Sequence, residues 1–114
     1  MDLLTPEDRA ALLAKGQRTA EGVEHDPFPV VKLFTPDAGA TWLLTEIDPL
    51  DPDIAFGLCD LGLGEPELGS ISLSEISKVR GKLGLPVERD LSFGADRPLS
   101  RYTEDARRNG IIRA

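Results

Sequence analysis

Acidic side chains concentrate in the middle of the chain, around one apolar segment. They are Asp48, Asp51, Asp53, Asp60, Glu65 and Glu67. Carboxylate oxygens are the ligands that Mg²⁺ and Ca²⁺ take in proteins, so this cluster is a candidate metal site. Its spacing matches no calcium-binding loop, and the prolines at positions 49, 52 and 66 are typical of turns. We therefore interpret these residues as solvated turn acids and predict no metal site.

Nucleophilic chemistry has few candidate residues in this chain. His25 is the only histidine and Cys59 the only cysteine, which excludes zinc sites built on several such ligands. His25 has no serine or cysteine close to it in sequence, and the leucines around Cys59 favour a buried, reduced thiol. The glycines at 57, 62, 64 and 69 lack the lysine of a phosphate-binding loop. We predict no catalytic residue and no cofactor, which favours a protein that is not an enzyme.

Trp42 and Glu46 are candidate binding residues on one predicted strand. Strict alternation would place Trp42, Leu44 and Glu46 on the same face. An aromatic side chain beside charges is typical of protein-binding hot spots. A single tryptophan among leucines is also typical of a core, and this second interpretation is favoured.

The charge of the chain bears on its partners. Thirteen Lys and Arg against twenty Asp and Glu give a net charge of −7, which repels phosphate backbones. We expect no direct binding to nucleic acid and a protein partner with a basic surface. The acids expected to bind it are Asp51, Asp53, Glu65 and Glu67. The chain has no apolar stretch of membrane-spanning length, so we expect a cytoplasmic protein without a membrane partner.

The N-terminal half contains signals for one helix and three strands. Thr5 can cap a helix, Pro6 suits its first position, and Gly16 weakens its extension to about Ala20. A loop follows over residues 21–29. Runs of strand-forming residues predict strands over 30–35, 41–47 and 54–61, of which the first two form a hairpin.

The C-terminal half alternates between strands and helices. A short strand over 69–71 leads into a helix capped by Ser72 and Glu75, with apolar residues at helical spacing as far as Leu83. A partly exposed strand is predicted over 87–93, and a last helix over 100–109 ends at Gly110. The predicted core contains Leu33, Leu43, Phe56, Leu58, Ile76, Val79 and Leu91.

This order of elements predicts the fold class. The strands follow one another too closely for crossover helices, which favours an α+β fold with a mostly antiparallel sheet arranged as a meander. We expect about three helices, packed largely on one face, in a single domain over residues 1–114. A mixed sheet with the helix from Ser72 as a crossover is the alternative.

Four segments carry a resemblance to a known family. They are PVVKLFTP (29–36), ATWLLTE (40–46), DPDIAFGLCDLGLGEPELG (51–69) and GLPVERDLSF (84–93). With them the chain resembles a family of small bacterial proteins classed as a domain of unknown function, over nearly its whole length. Members are often found on conjugative plasmids and integrative elements. The resemblance implies this setting and supplies no catalytic residue.

Three function classes remain open at this point. The leading hypothesis is a non-enzymatic accessory factor of a mobile element that binds a basic protein through its acidic surface. In an anti-defence version, these acids imitate DNA phosphates. The alternative is a ligand-binding protein or enzyme with a pocket between sheet and helices, lined by Glu46, Asp53, Asp60 or Glu67. A homodimer formed through an exposed strand such as 87–93 is the third class.

Overall fold

A computed structural model describes residues 3–114. Within this range the elements are α1 (Pro6–Ala20), β1 (Val31–Phe34), β2 (Thr41–Asp48), β3 (Asp51–Asp60), β4 (Glu67–Ser72), α2 (Leu73–Ile76), β5 (Glu88–Arg89) and α3 (Leu99–Asn109). The five strands form one open antiparallel sheet in the order β4-β3-β2-β1-β5. The predicted α+β class and antiparallel sheet are confirmed. None of the helices in residues 3–114 has the length and apolar character needed to cross a membrane.

Helix α1 begins as the sequence predicts and does not end at its glycine. The Thr5 hydroxyl accepts from the Asp8 backbone N–H at 3.0 Å, and Asp8 Oδ2 accepts from the Thr5 N–H at 3.1 Å. Gly16 lies inside the helix, where a Cβ atom would stand 1.8 Å from the carbonyl oxygen of Ile47. The glycine therefore lets α1 pack directly on the backbone of β2.

The sheet carries a hydrophobic core on each face. On the first face, which we call the α1 face, Leu12 of α1 packs with Trp42, Leu44 and the α2 residue Ile76. On the opposite α3 face, the core consists of Leu43, Leu58, Leu99, Tyr102, Ala106 and Ile112. Helices α1 and α2 thus share one face, as expected, whereas α3 covers the other.

The segment after α2 differs from the prediction. Helix α2 ends at Ile76, and Leu83, which was expected to be its last apolar residue, is 80% exposed. The Asp37 carboxylate accepts from the backbone N–H groups of Leu83 at 2.6 Å and Leu85 at 3.3 Å. These hydrogen bonds hold residues 80–86 as a loop against the β1–β2 turn. A contact from a distant part of the chain therefore replaces the predicted helix.

The predicted strand over 87–93 is also shorter than expected. It pairs with β1 only over Glu88–Arg89, because the chain then turns at Asp90, whose Oδ1 accepts from the Ser92 N–H at 2.9 Å. The prediction of Leu91 as a core residue is wrong, since this side chain is 81% exposed. The other predicted core residues are buried (Leu33, Leu43, Leu58 and Ile76) or half-buried (Phe56 and Val79).

Candidate functional site

A cavity of about 1030 Å³ opens on the α3 face, near the hairpin that joins β2 to β3. We call it the groove. Its floor consists of Ile54 and Phe56 from β3 and of Leu68 and Ser70 from the neighbouring strand β4. Its walls are the first turn of α3, the last turn of α1 and the loop that follows α1. The groove therefore lies on the part of the α3 face that α3 leaves uncovered.

A β-bulge in β2 turns Glu46 toward the groove. The register with β3 shifts between Leu44 and Glu46, so that Thr45 is the extra residue and Glu46 lies opposite Phe56. Residues directly opposite each other share a face of the sheet, so Glu46 lies on the α3 face with Phe56. Trp42 is 4% exposed and belongs to the core of the α1 face. The predicted shared face of Trp42 and Glu46 is therefore wrong, and Trp42 is a core residue.

Gly57 makes room for this bulge from the facing strand. A Cβ atom at Gly57 would stand 1.9 Å from the carbonyl oxygen of Leu43. The Thr45 hydroxyl is fully buried and donates to the carbonyl of Phe56 at 3.3 Å. Gly57 thus leaves room for the backbone of β2 near the bulge, and the buried Thr45 hydroxyl has a hydrogen-bond partner.

The loop after α1 crosses from the α1 face to the α3 face and closes one wall of the groove. The Pro27 carbonyl accepts from the Leu99 N–H at 2.9 Å. Asp26 accepts from the Ser100 N–H at 3.1 Å and also from the Ser100 hydroxyl. Pro98, at the N-cap position of α3, provides no side-chain cap, so Asp26 caps this helix from the loop.

The groove combines an apolar floor with an acidic rim. Its acidic lining residues are Glu24, Asp26, Glu46 and Asp48, and no lysine or arginine lies among the described lining residues. Asp26 is engaged in capping, and Asp48 accepts from the Leu50 N–H at 2.9 Å. Within residues 3–114, no hydrogen bond or ion pair holds the Glu46 carboxylate. The rim therefore favours a ligand with both apolar and cationic groups.

One hydroxyl and one imidazole meet at the groove wall. Thr19 Oγ1 lies 2.6 Å from His25 Nε2. Sequence reasoning missed this contact because it considered only serine and cysteine near His25. Nucleophilic catalysis also needs a group that orients the base, and none among residues 3–114 bonds to the other ring nitrogen. The pair fastens the loop to the end of α1.

The four acids predicted as one binding surface do not lie together. Asp51 and Asp53 are at the start of β3, whereas Glu67 lies opposite Cys59 near its other end. Cys59 lies six positions after Asp53 along the extended strand, which corresponds to about 20 Å. Glu65 lies in the loop before β4. The structure thus separates Asp51 and Asp53 from Glu65 and Glu67, so the four acids form two distant pairs.

Asp53 is also a structural residue. Its carboxylate accepts from the Ser72 hydroxyl at 2.6 Å and from the backbone and hydroxyl of Ser74 at 2.8 and 3.0 Å. These hydrogen bonds, led by that from Ser72, lower the pKa of Asp53. Asp53 therefore ties the start of β3 to the start of α2.

Asp60 and Cys59 are likewise placed in the framework of the fold. Asp60 is 1% exposed and accepts from the backbone N–H groups of Gly62 at 2.8 Å and Ile112 at 3.0 Å. It anchors the segment after α3 to the end of β3. Cys59 packs against the core of the α1 face, where burial raises the pKa of its thiol to about 11. Of the acids proposed for a pocket, only Glu46 lines the groove.

The fold lowers the pKa of two carboxyl groups that lie outside the groove. Hydrogen bonds from Ser72 to Asp53, and from Arg113 to Asp105, are the main causes of these lowered pKa values. No group of three His, Cys, Asp or Glu in residues 3–114 is placed to hold a metal ion. The sequence did not predict Glu24 and Asp26 as binding residues, because they reach the groove only through the loop that is held against α1 and α3. Asp48 was considered only as a candidate metal ligand.

Comparison with protein-family models identifies the family of this chain. The model of a family described as protein of unknown function, DUF2958, matches residues 3–113. The chain belongs to this family. Membership in DUF2958 confirms the expected domain of unknown function. Comparisons with curated proteins and with solved structures gave no match. The function of the groove therefore has to follow from the chemistry of its lining residues.

Proposed function

We propose that this chain is a non-enzymatic binding protein whose groove holds a basic and partly apolar segment of a partner protein. The observation that carries this proposal is the lining of the groove, which joins an apolar floor to four carboxylates with no lysine or arginine among them. An apolar side chain of the partner would cover Phe56 and Leu68, and a cationic one would meet Glu46. The proposal keeps the expected basic partner and transfers its binding site from the turn acids to the groove.

Exposure supports a polypeptide partner. Leu68 is 40% exposed on the floor, and Val23, in the loop that closes the wall, is 41% exposed. Apolar side chains in a contiguous exposed patch with a polar rim are typical of interaction sites. The floor also reaches the edge strand β4, so a chain can enter from the side of the sheet.

The biological setting that we propose is accessory to a bacterial mobile element. The resemblance to proteins of conjugative plasmids and integrative elements supports it. An acidic chain of net charge −7 is suited to a protein partner with a basic surface, including one that handles nucleic acid. Such a partner fits an anti-defence role, in which the groove competes for a basic segment.

Binding of a defined peptide tests the groove chemistry. The probe is a labelled eight-residue peptide in which arginine and leucine alternate at odd positions and threonine fills the even ones. We expect it to bind in fluorescence anisotropy, more weakly as salt rises. Replacing arginine by glutamate, or leucine by serine, should abolish most of the binding, because each change removes one half of the required chemistry.

Charge reversal in the groove has a matched control. Glu46→Lys should weaken peptide binding about tenfold, since a lost attraction and a new repulsion together amount to about 1.4 kcal/mol. Glu88→Lys makes the same change on exposed β5, at the opposite edge of the sheet, and should leave affinity unchanged. Equal effects of the two substitutions, or tighter binding of the glutamate peptide, would refute the proposed function.

A small-molecule ligand is the second candidate function, and the size of the groove favours it. About 1030 Å³ is enough for a drug-sized molecule. The same charge pattern selects an organic cation with an apolar body. A small amine that competes with the labelled peptide and is more sensitive to Glu46→Lys than the peptide is would favour this alternative.

A further inference from the structure

Strand β4 forms a free edge of the sheet next to the groove. It comprises Glu67–Ser72 and pairs with β3 in a regular register without a bulge. Edge strands are commonly protected by lysine, proline, bulges or very short length. β4 has no lysine or proline, and at Gly69 a side chain would find open space. The opposite edge strand, β5, has only two residues. β4 is therefore the edge that can accept another strand.

The direction of the peptide groups identifies which residues are available at this edge. The Phe56 carbonyl accepts from Thr45 of β2, so the peptide groups of Phe56 face β2. Because these groups alternate along a strand, the neighbouring odd-numbered residues of β3 face β4. The pairs that exchange backbone hydrogen bonds are then Ala55 with Ile71, Gly57 with Gly69, and Cys59 with Glu67. Leu68 and Ser70 consequently direct their N–H and C=O groups outward.

Leu68 and Ser70 also place their side chains on the groove face. Both line the groove, and Ser70 lies opposite Phe56, which in turn lies opposite Glu46. This row crosses three strands at about 4.8 Å spacing. In an added antiparallel strand, the residue that lies opposite Ser70 and bonds to it would continue the row on the same face. An arginine at that position can lie over the Phe56 ring and reach toward Glu46.

We propose that the partner segment binds as an extended strand that adds antiparallel to the edge of β4, with its basic and apolar side chains directed into the groove. This inference rests on the proposed function and specifies its binding mode. The peptide groups of Leu68 and Ser70 form the backbone hydrogen bonds, and the groove selects the side chains. Charge favours a foreign basic strand over a second copy, since each copy carries a net charge of −7.

Alternate N-methylation of the probe peptide tests strand addition. The residues that bond to Leu68 and Ser70 are those on the groove face, which are the odd arginine and leucine positions. N-methyl groups on these positions should weaken binding at least about tenfold, because they remove the donors that face β4. N-methyl groups on the even threonines point away from the sheet and should leave affinity within about twofold. Equal loss from both peptides would overturn strand addition.

Substitutions at Ser70 provide the matched test in the protein. Ser70→Pro removes an outward N–H that takes no part in the ladder with β3, so the fold should persist and peptide affinity should fall about tenfold. Ser70→Ala keeps the N–H and should bind as the unmodified protein does. If Ser70→Pro also lowers the unfolding midpoint, the N-methyl peptides decide alone, because they leave the protein unchanged.

The outcomes separate this inference from the proposed function. Should the unmodified peptide bind with sensitivity to Glu46→Lys, while the two N-methyl peptides bind equally, the groove function stands and strand addition is wrong. Absence of binding by the unmodified peptide removes both. A dimer in sedimentation that dissociates on Ser70→Pro would assign this edge to a second copy and overturn the inference.

Discussion

Replacing Gly16 with alanine tests how closely α1 packs on the sheet. In an exposed helix this substitution stabilises by about 1 kcal/mol, because alanine has the higher helix propensity. Here the new Cβ would stand 1.8 Å from the carbonyl oxygen of Ile47 and 2.9 Å from its carbonyl carbon. The obstacle is backbone, which cannot rotate away as a side chain can. The helix must therefore move away from β2.

The size of the effect follows from two opposing terms. Overpacking a close contact costs about 3 kcal/mol at the upper end of its usual range. Subtracting about 1 kcal/mol of helix propensity leaves a net destabilisation of about 2 kcal/mol for Gly16→Ala. Urea unfolding followed by circular dichroism measures this free energy.

Ala14→Gly is the matched control in the same helix. Ala14 is exposed, so its replacement reports helix propensity alone and should cost about 1 kcal/mol. A Gly16→Ala variant as stable as the unmodified protein, or more stable, would show that α1 does not pack on the backbone of β2 as described.

Three further predictions concern burial and titration. Leu43→Ala should cost about 3 kcal/mol because Leu43 is fully buried, whereas Leu91→Ala should change the urea midpoint little; similar midpoints for the two variants would contradict the assignment of the core. Burial raises the pKa of Asp8, but hydrogen bonds from Thr5 and Arg89 outweigh it and lower the pKa overall. The interactions that lower this pKa stabilise the folded protein at pH values above the unfolded-state pKa, and the stabilisation is lost as pH falls through the lower folded value. Asp8→Asn should therefore flatten the fall of stability at acid pH, and an unchanged fall would argue against these interactions of Asp8. Because burial raises the Cys59 pKa to about 11, its thiol should react slowly with a disulfide reagent at pH ~8 and rapidly in urea, and rapid reaction of the folded protein would count against burial.

Local signals in the sequence predicted those parts of the fold that local contacts determine. Thr5 caps α1 as predicted, and Asp8 completes a capping box with it. Gly110 ends α3 with a φ of 72°, a left-handed conformation that glycine adopts readily. The β1–β2 hairpin also forms as predicted, with a turn between Phe34 and Thr41. In each case the decisive residues lie close together in the sequence.

Contacts between distant segments explain what the sequence did not predict. The helix expected beyond Ile76 is replaced by a loop because Asp37, far away in sequence, binds the backbone of residues 83 and 85. The groove depends on Asp26 and Pro27 meeting the start of α3, more than seventy residues later. Neither contact leaves a periodic pattern in the sequence, so composition and spacing could not reveal them.

The β-bulge in β2 determines which chemistry faces the groove. Apolar residues of the α1 face occur at 42, 44 and 47, so the spacing changes from two residues to three. Without the bulge, strict alternation would turn Glu46 under α1 and Ile47 toward the groove. Burying that carboxylate in an apolar core would cost several kcal/mol, and exposing Ile47 would lose its packing. The extra residue Thr45 avoids both costs because its hydroxyl has a backbone partner and Gly57 leaves room opposite. The change of spacing was thus the one signal in the sequence that could have placed Glu46, the only acid predicted for partner or ligand binding that lines the groove.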